Sequence, residues 1–139
     1  MQLSVKCLLF SFIGFTLLSI LIYLPSLSGD FIHDDRPNLV YNNDVQIDSL
    51  TIDSLGKAAT SSGAGALGRP ISRVTFALNY YFFGEDPFSF KLTNVIFHIL
   101  TGILVFIVTF QVHKLLSQSN CNKSTYWFAI IVTLFWLSH

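Results

Sequence analysis

The chain has 139 residues, no formal net charge, 52% hydrophobic side chains and only 12% charged ones. A soluble domain carries about 25% charged residues, so an ordinary water-soluble enzyme domain is a poor fit. With eight basic residues in the whole chain, a nucleic-acid-binding surface is excluded as well.

In chain order, the first feature is an uncharged stretch of 23 residues between Lys6 and Asp30. About 20 apolar residues cross the hydrocarbon core as a helix, so residues 7–27 are expected to form a first membrane span. Lys6 and the small Ser26 and Ser28 also suit a signal peptide. The apolar run over 8–24 exceeds the roughly 7–15 residues of a signal h-region, and an uncleaved helix is the better reading.

Residues 28–90 contain all eight acidic residues of the chain, from Asp30 to Asp86. They open with Gly-Asp-Phe-Ile-His-Asp-Asp-Arg-Pro at 29–37, which sets adjacent carboxylates, Asp34 and Asp35, between His33 and Arg36. Such a pair on a loop is commonly solvated surface. The flanking charges and the anchoring Phe31 and Ile32 also suit chemistry at a membrane surface. A lipid phosphate needs a cation, and an acceptor hydroxyl needs a base. The stretch 49–68 is rich in Ser, Gly and Ala, and its four glycines predict a short helix and then a flexible crossing. Pro70 suits a helix start. From there to Phe83 the pattern predicts a helix with Ser72, Thr75 and Asn79 in one polar stripe and an aromatic cluster, Tyr80 to Phe83, at its end. Fourteen residues at about 1.5 Å each are too short to span, so 70–83 is expected to lie on the membrane surface, amphipathic and interfacial.

The second uncharged stretch, 92–113, is expected to be the second span. Lys91, Asn94, His98 and Thr101 recur on one helical face. Polar groups inside a span are costly and usually face the bundle or a wet cavity. They either line a cavity or join helices by hydrogen bonds. The connection 114–125 carries Lys114 and Lys123 and no acid. Short basic loops stay cytoplasmic. The N-terminus and this loop are therefore expected inside, with 28–90 facing the periplasm or an organelle lumen. Residues 126–139 read as the start of a third span, and the chain is expected to be the N-terminal piece of a longer membrane protein. Cys7 and Cys121 are expected to face the cytoplasm and receive no role. The triplet Asn122-Lys123-Ser124 would face the same way and stay unglycosylated.

Taken together, Asp34-Asp35, Arg69-Pro70, the Phe76 to Tyr80 run, Gly84 to Pro87, and Asn94 to His98 resemble the membrane domain of the transmembrane and tetratricopeptide-repeat O-mannosyltransferases and their bacterial relatives. Those are glycosyltransferases of the GT-C class. The resemblance implies an all-α, polytopic membrane bundle of GT-C type that moves a sugar from a polyprenyl-phosphate-linked donor to a protein or glycan acceptor. It implies Asp34 as general base with Asp35 as alternate or partner, and either as ligand of a divalent metal if one is used. It implies that Arg69 contacts the lipid phosphate, with His33, Arg36 and Asn79 as further candidates, and that Asn94 and His98 line the donor cavity. Lys91 departs from the family pattern, which often has His or Tyr there, and the family's third span ends in His-Pro where this chain has His139. The short outer loop favours a bacterial inner membrane, with the endoplasmic reticulum as the alternative. Two rival readings are a non-catalytic anchor or assembly subunit and a transporter fragment using His98 and the acids as a proton path.

Overall fold

The computed structural model describes residues 5–33, 35–61, 69–117 and 123–139. Helices account for most of them: α1 (Val5–Leu27), α2 (Ile52–Thr60), α3 (Pro70–Phe83), α4 (Pro87–Leu116) and α5 (Lys123–Leu137), with a short π-helical turn at Arg36–Val40. The chain divides into two compact units, one of residues 1–25 and 94–139, the other of residues 26–93.

The first unit is built from α1, α5 and most of α4. α1 with 23 residues and α4 with 30 are long and apolar enough to cross a membrane. α5 has 15 residues, and at about 1.5 Å per residue it is shorter than a span. Hydroxyl side chains are tolerated in these helices because they bond the carbonyl one turn back. Ser11 Oγ donates to the Cys7 carbonyl at 2.9 Å, Ser19 to Phe15 at 2.9 Å and Thr133 to Ala129 at 2.8 Å. Lipid offers helices no hydrophobic gain from associating, so small residues and interhelical hydrogen bonds carry the contact. The buried stripe of α5 is Thr125, Ala129, Thr133 and Leu137, spaced by four. The Ser11 and Tyr126 hydroxyls meet at 2.6 Å, and His113 Nδ1 lies 3.1 Å from Thr125 Oγ1. Around these, Phe15, Phe106, Ala129 and Leu137 form the buried centre, with Phe12 edge-on to Phe106.

The second unit has an ordinary apolar core. Leu39, Val45, Ile47, Ala58, Ala77 and Phe90 are buried, and Phe31, Leu55, Phe76 and Tyr80 pack on them. α2 starts where Thr51 Oγ1 accepts the Ser54 N–H at 3.1 Å. Asp53 and Lys57 form an i,i+4 ion pair at 2.7 Å, and this hydrogen bond and the Asp53 charge raise the lysine pKa. Residues 62–68, the end of the stretch 49–68 in which a flexible crossing is expected, lie outside the described residues.

α3 has the bounds expected of it, Pro70–Phe83, and ends on Gly84, whose φ of 66° suits glycine. Its packed face differs from the expected stripe. Arg73, Phe76, Ala77 and Tyr80, at i, i+3, i+4 and i+7, face the core. Asn79 joins them in being buried, while Ser72 is exposed and Thr75 half-buried. The apolar pattern overrides the polar one because burial of Ala77 and Phe76 is what pays for ordering the helix. α4 begins five residues before the expected span, at Pro87, because Asp86 caps it. The Asp86 carboxylate accepts the Ser89 N–H at 3.1 Å and the Phe88 N–H at 3.4 Å, and proline is suited to the first helical position.

Candidate functional site

The acidic segment leaves α1 at Leu27 and turns at once. Asp30 Oδ1 accepts the Phe31 N–H at 2.7 Å, and the Asp30 carbonyl accepts a hydrogen bond from Lys91 Nζ at 3.1 Å. Lys91 comes so close that a Cβ on Gly29 would lie 2.7 Å from its ammonium. Sequence reasoning placed Lys91 only on a helix face. Its departure from the family pattern was the available sign that it does something else.

His33 is exposed and adopts a left-handed backbone, φ 41°. Asp34 lies outside the described residues. Asp35 is half-buried. Its amide donates to the Ile32 carbonyl at 2.9 Å, and its Oδ2 accepts the Ile32 N–H at 3.1 Å. One carboxylate oxygen thus closes the turn on which it stands. Arg36 follows as an exposed cation opening the π-helical turn, whose last carbonyl bond is from Tyr41 N–H to Arg36 at 2.8 Å. Leu39 pins this turn to the core, and the Gln46 amide donates to the Val40 carbonyl at 2.9 Å and to Glu85 Oε1 at 3.0 Å.

One group that reasoning from sequence passed over holds the turn from the other side. Arg73, on α3, is 2% exposed. Its Nη2 donates to Asn38 Oδ1 at 2.9 Å and its Nη1 to the Asn38 carbonyl at 3.2 Å. Arg69, in contrast, is exposed. It is the residue preceding α3, in a left-handed conformation with φ 46°. His33 and Arg69 are the two non-glycine residues with positive φ among those described, a conformation costing about 1–3 kcal/mol each.

Asn79 is 6% exposed, and its Oδ1 accepts the Thr93 hydroxyl at 3.1 Å. Its Nδ2 is buried without a hydrogen-bond partner.

The residues of the stripe expected on α4 have different surroundings. Asn94 is exposed, and the Thr101 hydroxyl bonds back to the Phe97 carbonyl at 2.8 Å. His98 belongs to the helical unit. Its Nε2 lies 3.4 Å from Tyr23 Oη and 3.4 Å from the Leu137 carbonyl, and its ring stacks on Trp136 with centroids 6.0 Å apart. The Leu137 carbonyl only accepts, so that contact requires a proton on Nε2. Among the described residues, the ion pair is Lys57–Asp53, and no three His, Cys, Asp or Glu side chains gather as a metal site.

The chain is 33% identical over 100 residues to protein O-mannosyl-transferase Tmtc1 of Drosophila melanogaster, covering 68% of this chain and 12% of that protein. Against protein O-mannosyl-transferase tmtc2 of Xenopus laevis the identity is 31% over 128 residues, 88% of this chain and 14% of that protein. Against human TMTC1 it is 34% over 93 residues, 63% of this chain and 10% of that protein. This chain is a relative of the protein O-mannosyl-transferases. It spans about a tenth to a seventh of the length of those relatives. No family model matches the chain, and no solved structure does. The relationship and the two long apolar helices make it a membrane protein with glycosyltransferase kinship.

Proposed function

We propose that the intact protein transfers a sugar from a polyprenyl-phosphate-linked donor to a hydroxyl of a protein or glycan acceptor, in the manner of a GT-C enzyme with tetratricopeptide repeats. The observation that carries this reading is the similarity to protein O-mannosyl-transferases over 88% of the chain in one relative and 68% in another. In this scheme Asp34 or Asp35 takes the proton of the acceptor hydroxyl. The acceptor oxygen then forms a bond to the anomeric carbon as the bond from that carbon to the lipid phosphate breaks, and the phosphate leaves with its electron pair. Cations lower the cost of charge on the departing phosphate, and Arg69, Arg36 and His33 are proposed for that task. Asn79, Asn94 and His98 are proposed as donor-binding groups. A divalent metal, if one takes part, would be held by Asp34 or Asp35.

The geometry of the described residues supports Asp35 in this role. It is half-buried, fixed by one oxygen, and followed by an exposed arginine. α3 exposes Ile71, Phe82 and Phe83, which supports its placement on the outer membrane surface. The membrane is proposed as the bacterial inner membrane or the endoplasmic reticulum, with the N-terminus cytoplasmic. The contacts of His98 to Tyr23, Leu137 and Trp136 favour a second reading for that residue alone, a link that packs helices together.

The test uses the intact protein in membranes with radiolabelled polyprenyl-phosphate mannose as donor. General-base catalysis is worth roughly 10²–10⁴-fold, so Asp34→Asn or Asp35→Asn should lower transfer by that order. Full transfer by both variants would overturn the assignment.

A further inference from the structure

Arg73 is a permanently charged side chain in an apolar core, and its described partner is a neutral asparagine. Removing a guanidinium from water costs several kcal/mol unless it is well paired, and a leucine or methionine would fill the same volume without that cost. What the arginine supplies and an apolar residue cannot is a two-point grip, Nη2 on Asn38 Oδ1 at 2.9 Å and Nη1 on the Asn38 carbonyl at 3.2 Å. Asn38 is the middle residue of the turn Arg36–Val40. The N-terminal neighbour of that turn is Asp35, itself tied to Ile32. The grip therefore joins a rigid helix to the acid-bearing segment, across 35 positions of sequence.

We propose that Arg73 is a positioning residue for glycosyl transfer, holding the turn after Asp35 in register through Asn38, an inference that rests on the reading above. Arg73 touches neither donor nor acceptor in this role. Its removal lets the acid and Arg36 drift while the core stays closed around Leu39 and Ala77. A shift of about 1 Å in a reacting group is worth up to about 100-fold in rate.

The experiment compares Arg73→Gln, Arg73→Lys, Asn38→Ala and the Arg73→Gln/Asn38→Ala double variant in the intact protein, with polyprenyl-phosphate mannose as donor. Each kcat is divided by the folded fraction from thermal unfolding in detergent. Positioning predicts that kcat per folded molecule falls about tenfold or more in Arg73→Gln and in Asn38→Ala, with KM for the donor changed less than about twofold. The double variant should be no worse than the poorer single one, because the two residues act as one unit. Arg73→Lys should recover part of the loss, since an ammonium still donates to one acceptor. Amide exchange at Tyr41 should rise in Arg73→Gln. Unchanged kcat per folded molecule overturns the proposal in favour of a structural role alone, and a loss expressed mainly in KM overturns it in favour of direct donor binding. Asp34→Asn and Asp35→Asn are run alongside. No transfer by the parent protein marks failure of the glycosyl-transfer reading itself, full transfer by both aspartate variants marks failure of the base assignment, and inactive aspartate variants beside a normal Arg73→Gln mark failure of the positioning inference alone.

Discussion

Asn79 illustrates how a single buried amide is balanced. Its oxygen is satisfied by Thr93 and its nitrogen by nothing described, so the residue already carries one unpaired donor. Thr93→Val would leave the oxygen unpaired too and should lower stability by about 1–3 kcal/mol, read as a shift in the unfolding midpoint. The double variant Asn79→Leu/Thr93→Val replaces both partners by apolar groups and should be close to neutral for folding. A double variant that folds normally and loses donor binding, beside a Thr93→Val that keeps it, would support the proposed role of Asn79 in recognition. Arg69 separates charge from backbone in the same way. Its left-handed φ of 46° is one that glycine adopts freely. Arg69→Gly should fold at least as well as the parent and bind the polyprenyl-phosphate donor less tightly, whereas Arg69→Lys should keep more of the binding. Equal donor KM in all three would remove Arg69 from the phosphate contact. The motif positions of Asp35 and Arg69 were legible in the sequence. Arg73 was not, because a lone arginine within a predicted surface helix gives no sign of which way it points, and only the packing of Ala77 and Phe76 turns it inward.

At the scale of elements, the first helix and the bounds of α3 were readable because charge-free length and Pro70/Gly84 punctuation are local signals. α4 starts at Pro87, five residues before the expected span; hydropathy marks where charges stop and says nothing of the cap that starts a helix. Asp86→Ala should cost about 0.5–2 kcal/mol and fray the first turn of α4, visible as faster exchange of the Ser89 amide. Gly102 was also silent in the sequence. A Cβ there would lie 2.6 Å from Leu137 Cδ2, and Leu137 is fully buried. Glycine-to-alanine in a helix interior ordinarily gains roughly 0.5–1 kcal/mol. At this position the clash should reverse the sign, and Gly102→Ala should be less stable than the parent in detergent, with Leu137→Ala in the same background restoring part of the loss. A more stable Gly102→Ala would mean that α4 and α5 pack less closely than described.

For the molecule as a whole, two kinds of cohesion coexist in one short chain. The unit of α1, α4 and α5 relies on small residues and hydroxyl contacts such as Ser11–Tyr126, as helices in lipid do. The unit of residues 26–93 holds all eight acids and an apolar core of aliphatic and aromatic side chains, the arrangement expected where water supplies the driving force. The proposed orientation puts that acidic unit on the outer face. On that orientation Asn122, which lies outside the described residues, should carry no glycan when the protein is expressed in a glycosylating cell. A cysteine introduced at the exposed Ser72 should react with an impermeant thiol reagent added from outside. A glycan on Asn122 would reverse the topology.

The sequence by itself determined the membrane character, the order of helices and the acidic segment after the first of them, because each is written in contiguous residues: charge-free length, turn residues, adjacent carboxylates. Only the tertiary structure decided which polar groups meet. The grip of Arg73 on Asn38, the reach of Lys91 to Asp30 and the contact of His98 with Leu137 join positions 35, 61 and 39 residues apart. Hydrogen bonds of that range depend on which faces of the helices the core buries, and no local pattern encodes that.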